Sequence, residues 1–351
     1  MKGRRKVISG RWSLQAQVEV EARRTIENRS KKVAHRFLDT ALVFGRDFEP
    51  TGRLAGNLRG SPAEKNRNTL PTPQIAVGHL RKANLATLLI QTVEVVIRAG
   101  QLLITEWARV DGPRGKDDKA VVDVEIELLL RQQLLNLLPC DFWGEETGHR
   151  LTGHSWCWVV DPNDGTGDFL KGIKGSALSV GLLHEQTPVL GVVFAPITVE
   201  GVPDCIAWAE GLPHILRNGE PVTAKLDTKV LVSGTYVMVS SAATSQPEMN
   251  SLLCKPATFI AMPSIAYRLA KVAAGDGVCG ISLHPVSAHD VAAGHALLRG
   301  AGGALFNERG EAITYVSQDN MQTVSQRCFG GSVLACRTLI DREWHRIFIE
   351  A

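Results

Sequence analysis

The chain has 351 residues, 44% hydrophobic and 21% charged, with a formal net charge of +3. That is enough chain for one large or two ordinary domains with a substantial core, and the composition excludes a disordered or fibrous protein. Seven cysteines (140, 157, 205, 254, 279, 328 and 336) show no C-x-x-C pair and no zinc-like spacing with histidine, which favours reduced thiols in a cytoplasmic protein over a disulfide frame or a zinc site.

Residues 1–82 stand apart. They carry 18 Lys/Arg against 7 Asp/Glu, a net charge near +11, which leaves the remainder near −8. Val18–Leu42 has helical potential but is charge-dense, and from Pro50 to Pro73 glycines and prolines interrupt any periodicity. The segment reads as a basic, partly disordered extension without chemistry of its own. A basic arm for anionic surfaces is the weaker alternative, and nucleic acid is not expected as a partner.

From Leu80 the pattern changes. Leu85, Leu88, Leu89, Val93, Val96 and Ile97 recur at helical spacing and predict an amphipathic helix to about Trp107. Glu94 and Arg98 interrupt this run, so no membrane span is expected. A polar loop (111–118) leads to a second helix over Val122–Leu138, stopped by Pro139. Short apolar runs then predict strands at Trp156–Val160, Leu178–Leu183, Val189–Phe194 and Ile206–Trp208. A turn and connection at 217–224 divides a lobe at 83–222 from a second at 223–351. That second lobe alternates: strand Val237–Ser241, helix Ile265–Ala274, strand Gly280–Leu283, helix His289–Arg299, strand Ala304–Phe306, strand Cys328–Leu334, helix Cys336–Ile347.

The chemistry concentrates in Trp158-Val-Val-Asp-Pro-Asn-Asp-Gly-Thr166, where an apolar strand ends in two carboxylates three residues apart. Clustered carboxylates at a strand end suit a hard cation, and magnesium is the usual choice beside phosphate. An Asx-rich turn would look the same in isolation. Gly144-Glu-Glu146 adds two more acids, which alone read as a solvated turn. Asp290, in His289-Asp-Val-Ala-Ala-Gly294, alone reads as a helix N-cap. Gly275-Asp-Gly-Val-Cys-Gly280 fits the dinucleotide pattern G-x-G-x-x-G, but a helix precedes it and a strand follows, the reverse of what that motif needs.

Together these segments resemble the inositol monophosphatase superfamily, lithium-sensitive sugar and nucleotide phosphatases marked by G-E-E, W-[IV]-[IV]-D-P-x-D-G-T and W-D-x-A-[AG]-G followed by A-G-G. The similarity covers roughly residues 83–351, with Ala301-Gly-Gly303 and the turn Asn218-Gly219 in order. It implies a two-lobed α/β fold, a layered α-β-α-β-α sandwich with the site in the cleft, and two or three Mg2+ ions. Glu145, Asp161, Asp164, Asp290 and the Asn163 carbonyl would bind metal. Thr166 and Glu145 would orient the attacking water, with Asp123 behind the metals or on a third. Gly165 and Thr166 would meet the phosphate, and Ser264, Arg268 and His289 are the candidate substrate contacts. The sequence departs from the pattern at Ala120 (usually Thr), His289 (usually Trp) and Gly167-Asp168.

Phosphate monoesters are among the slowest compounds to hydrolyse unaided, and paired cations lower that barrier without a nucleophilic side chain. The expected substrate is a small phosphorylated metabolite. Phe169-Leu-Lys-Gly172 leans toward the bisphosphate nucleotidase branch (3′-phosphoadenosine 5′-phosphate), with a strict inositol monophosphatase or a histidinol-phosphatase-like enzyme as alternatives. A catalytically silent ligand-binding relative is the rival from another class. A homodimer stays open.

Overall fold

The computed structural model describes residues 24–37 and 82–348. Helix α1 (residues 24–37) precedes α2 (Lys82–Trp107), and a small ribbon, β1 (Gly115–Lys116) with β2 (Lys119–Ala120), leads into α3 (Val121–Leu137). There follow β3 (Asp141–Gly144), β4 (His149–Arg150), β5 (Trp156–Asp164), α4 (Thr166–Leu170), β6 (Ala177–His184), β7 (Thr187–Ala195), β8 (Asp204–Ala209), β9 (Ile215–Arg217) and β10 (Glu220–Val222). The remainder comprises β11 (Tyr236–Ser240), α5 (Pro247–Cys254), β12 (Thr258–Met262), α6 (Ile265–Ala273), β13 (Cys279–Ser282), α7 (Ala288–Gly300), β14 (Ala304–Asn307), α8 (Gln318–Gln322), β15 (Cys328–Gly331) and α9 (Val333–Ile340).

Strands β3 to β10 form one eight-stranded sheet in the order β10-β9-β8-β7-β6-β5-β3-β4, and β11 to β15 a five-stranded sheet in the order β12-β11-β13-β15-β14. Period-two alternation sends successive side chains of the large sheet to opposite faces. Trp158, Val160, Val180, Val192 and Phe194 meet α2 and α3 on one face. Val159, Val193, Ile206 and Trp208 meet α6 and α7 on the other. The small sheet covers the far side of α6 and α7, and its outer face packs on α5 and α9 through Val237, Val239, Phe329, Leu253 and Leu339. The layers therefore run α-β-α-β-α, as the motifs imply.

Close packing fixes α7 on the large sheet. A Cβ at Gly191 would lie 2.3 Å from the Ala293 carbonyl oxygen, and one at Gly181 3.0 Å from the Ala293 nitrogen, so only glycine allows this approach. Small residues on both sides hold the helix, and with it Asp290, in one position.

Several details differ from the sequence reading. Residues 24–37 are no solvated extension: Ile26, Ser30, Val33 and Phe37 form a narrow stripe with Phe37 fully buried in the α2–α3 core, and Arg29 donates to the Gly201 carbonyl. That stripe is hidden among seven charged or histidine positions, which is why charge density obscured it. The rest of residues 1–82, except Lys82 at the start of α2, lies outside the described residues. The region 217–224 contains the second strand of a hairpin, β9–β10, turned by Asn218 and Gly219 at φ 53° and 87°. Edge strand β12 and helix α5 were not foreseen, and the final strand stops at Gly331, with the helix starting at Val333 rather than Cys336. By length and composition Asn84–Trp107 could cross a bilayer, but 67% of its apolar window is buried inside the protein, as in a core helix.

Candidate active site

Strand β5 carries its acids further than its apolar run suggests. Pro162 cannot donate to the ladder, and the register with β6 shifts between Asp161 and Asp164. This bulge turns both carboxylates toward the start of α7. Carboxylate oxygens of Asp161, Asp164 and Asp290 lie within 4.8 Å of one another. Glu145 joins them from the β3–β4 loop through a side-chain hydrogen bond with Asp161. Its own N–H donates to the Val160 carbonyl of β5 at 3.2 Å, which ties the loop to the strand. Three distant stretches of chain thus bring the four acids to one place.

Asp290 is not the N-cap of α7. Ser287 is, and Asp290 sits at N3, where one carboxylate oxygen accepts the Ser287 N–H at 2.5 Å. The other oxygen lies 3.8 Å from His289 Nε2. His289 Nδ1 is buried without a partner, and the ring's burial lowers its pKa to about 4, so it is neutral at neutral pH.

Behind the cluster, Asp123 on α3 accepts from Asn163 Nδ2 at 3.0 Å, and Thr166 Oγ1 stands 2.9 Å from Asp123 Oδ2 and 2.8 Å from the Asn163 carbonyl oxygen. The Asn163 amide is itself turned inward by an N–H bond to Asp161 Oδ1 at 2.8 Å. Ala120, where the family has Thr, is the N-cap of α3 and offers no side-chain cap; the Asp123 carboxyl accepts its backbone N–H instead.

Asp164 is pinned by the second lobe. Its Oδ2 accepts from Ser264 Oγ at 2.5 Å and from Ala266 N at 2.6 Å, at the N-terminus of α6. Ser264 also caps that helix by accepting the Tyr267 N–H at 2.9 Å. So Ser264, read as a substrate contact, is committed to Asp164. Arg268 departs from that reading too. It is 4% exposed, and its guanidinium donates to the carbonyls of Ser264, Pro263 and Ile281. Gly165 begins α4 at φ +96°, with Pro263 Cβ 3.2 Å from where its own Cβ would stand.

The electrostatics of these acids share one sign. Burial, then the charges of Glu145 and Asp164, push Asp161 well above the usual carboxylate range. Asp164 and Asp290 rise to about 6, each chiefly by burial. Glu145 exposes part of its surface, yet desolvation of its carboxyl, then the Asp290, Glu146 and Asp164 charges, push it up to about 8. Asp123 rises to about 7 by burial, against its bonds from Thr166 and Asn163. Carboxylates held this close without enough positive charge are what a hard, oxygen-seeking divalent cation relieves, and no softer ligand stands among them. The donor set fits magnesium.

One residue escaped the sequence reading. Glu127 on α3 is fully buried and accepts from Glu146 N at 2.9 Å, Thr147 N at 2.7 Å and Thr147 Oγ1 at 2.5 Å. Its signal was present: Asp123 and Glu127 are four apart, so both acids fall on the stripe with Val122, Ile126, Leu130 and Leu134 that α3 buries.

Comparison with known proteins places this geometry. A model of the inositol monophosphatase family matches residues 84–336. The probable inositol 1-monophosphatase ImpA of Mycobacterium tuberculosis is 27% identical over 243 residues, spanning 66% of this chain and 87% of that protein. The inositol monophosphatase of Mesembryanthemum crystallinum is 33% identical over 216 residues, 58% of this chain and 77% of the other. In fold, the extragenic suppressor protein suhB from Bartonella henselae superposes with a TM-score of 0.59 at 20% identity, over 72% of this chain and 97% of its own. The chain belongs to the inositol monophosphatase family and is a metal-dependent phosphatase, a phosphoric monoester hydrolase.

Proposed function

We propose that this protein is a Mg2+-dependent phosphatase that hydrolyses a small phosphate monoester, with an inositol phosphate as the first substrate to test. The observation that carries the reading is the convergence of Asp161, Asp164 and Asp290, joined by Glu145. Glu145, Asp161, Asp164 and Asp290, with the Asn163 carbonyl, would hold two or three magnesium ions. Bound there, the ions would supply charge neutralisation for the ester and activation of water at neutral pH.

The remaining work falls to the chain's own groups. Thr166 Oγ1 donates to Asp123, which leaves its lone pairs to accept a hydrogen bond from the attacking water, and Glu145 offers the second acceptor. Backbone N–H groups of Gly165 and Thr166, where the chain turns into α4, would orient the phosphate. Neutral His289 flanks the cluster without adding charge, its Nδ1 turned inward and its side chain 13% exposed beside Asp290.

The substrate choice rests on chemistry near the cluster and on the names of the relatives. The nucleotidase alternative leaned on Phe169-Leu-Lys-Gly172, and Arg268, the basic candidate for a substrate contact, spends its donors on backbone carbonyls. A phosphate-release panel of inositol 1-phosphate, 3′-phosphoadenosine 5′-phosphate and histidinol phosphate, with and without Mg2+, tests the proposal. Magnesium-dependent release with inositol 1-phosphate ranked first is expected. A nucleotide ranked first would move the protein to the nucleotidase branch, and release from none would favour a silent ligand-binding relative.

A further inference from the structure

We propose that Glu127 is a positioning residue that sets the backbone at Glu145 and through it the affinity of the site for magnesium; this rests on the phosphatase reading above. Glu145 is fixed from both sides along the chain. Its own N–H is tied to the Val160 carbonyl at 3.2 Å, and the next N–H, that of Glu146, is tied to Glu127 Oε2 at 2.9 Å. The peptide plane that follows Glu145 therefore takes its orientation from α3. Thr147 reinforces it with two further donors to Glu127 Oε1, at 2.7 Å through N–H and 2.5 Å through the hydroxyl.

The fit leaves little room for alternatives. Glu127 is 0% exposed, and a charge so buried is tolerated only when its lone pairs are met by donors. Among the described residues no ion pair involves Glu127, so the loop's own amides and hydroxyl supply those donors, and charge-assisted bonds of this kind are the strong ones. A Cβ at Gly144 would stand 2.1 Å from Glu127 Oε1, so the residue before Glu145 is glycine to let the carboxylate reach under the loop. Arg131, one turn further along α3, holds the same threonine from the other side, Nη1 lying 2.9 Å from Thr147 Oγ1 and 3.2 Å from the Thr147 carbonyl oxygen.

Helix α3 thereby grips both acid-bearing segments. Asp123 holds Asn163 and Thr166 on the β5 side, and Glu127 holds residues 146 and 147 on the Glu145 side. A rigid helix with two buried carboxylates one turn apart sets the spacing between Glu145 and Asp161 before any cation arrives. Groups that orient metal ligands in this way characteristically change affinity about 10–100-fold when removed.

The test is Glu127→Gln in the full chain, which keeps the shape but gives three donors one carbonyl oxygen and an opposing NH2. Hydrogen–deuterium exchange of residues 144–148, measured in EDTA, is expected to accelerate at least about tenfold. Calorimetric Mg2+ affinity should fall about 10–100-fold, while kcat at saturating Mg2+ largely recovers, a split that a merely structural role would not produce. A folded variant with wild-type loop exchange, or with a loosened loop and unchanged Mg2+ affinity, overturns the proposal. Should Glu127→Gln fail to fold, Thr147→Val removes one of the three donors, and wild-type exchange and affinity in that protein would overturn it equally. Absence of Mg2+ uptake by the wild-type protein would defeat the phosphatase reading instead, and the exchange measurement would still decide whether Glu127 holds the loop.

Discussion

Asp164 and Asp204 stand at the same end of the large sheet's strands, because β5 to β8 alternate in direction and one acid ends β5 while the other begins β8. Both are buried and both are bonded to α6. Their electrostatic treatment is opposite. Asp204 is paired with Arg217 at 2.9 and 2.7 Å and accepts the Tyr267 hydroxyl at 2.7 Å, while Arg217 reaches on to Asp276 at 2.9 Å. Asp164 shares its space with two aspartates and Glu145, and the cation behind it, Arg268, spends its donors on carbonyls. An acid paired inside the protein ties lobes together; acids left unpaired are held ready for a charge from outside.

The sharpest way to break this contrast is to neutralise one acid from each group. Glu145→Gln is expected to lower kcat about 10²–10⁴-fold, since it removes an acceptor for the attacking water, while the thermal midpoint in EDTA stays level near pH 7 and rises above pH ~8, where a repelled charge disappears. Retained activity would refute the role given to Glu145. Asp204→Asn should do the reverse. It leaves Arg217 and Tyr267 short of a partner and is expected to cost about 2–3 kcal/mol in urea unfolding, less than a fully buried pair because Arg217 is 30% exposed. Specific activity of the folded fraction should not change, and a selective loss of activity would mean the network belongs to the site. Gly165→Ala is a smaller perturbation, about 1–2 kcal/mol for the left-handed conformation, read as a lower urea midpoint with a raised KM for the ester.

A test that needs no substitution is the pH dependence. Asp164 and Asp290 titrate near 6 and Glu145 near 8 in the folded chain, all above ordinary carboxyl values. Between pH ~4 and ~8 the native state therefore holds more protons than the unfolded chain, and stability in EDTA should fall as pH rises through that window. Magnesium takes over from the protons, so the stabilisation it adds should grow across the same range. Thermal scans at four pH values, with and without Mg2+, would show this; a magnesium effect independent of pH would contradict the assignment.

The difference between the two acid groups also explains what could be read in advance. The convergence of Asp161, Asp164, Glu145 and Asp290 was legible because these acids sit in short local motifs whose order is visible along the chain. Strands β5 to β8 were legible because their apolar runs are long and bounded by turns. Ser264 and Arg268 were seen but given the wrong partners, since sequence spacing cannot tell whether a donor faces a cleft or a carbonyl. The i, i+4 spacing marks Glu127 as a buried acid, but its role and the Asp204–Arg217–Asp276 tie were out of reach for a related reason: each depends on a partner 13 to 59 positions away. Short β3 and edge strand β12 lack a periodic run of their own and take their form from pairing with β5 and β11.

Isothermal titration of the protein with Mg2+ near pH 7, in two buffers of different ionisation enthalpy, tests the central claim most directly. Saturable uptake of at least two ions, with protons released as Glu145 and its neighbours give up theirs, and loss of that uptake in Asp161→Asn, is the predicted result. No binding heat at millimolar Mg2+, or equal uptake by the wild-type and Asp161→Asn proteins, would contradict it.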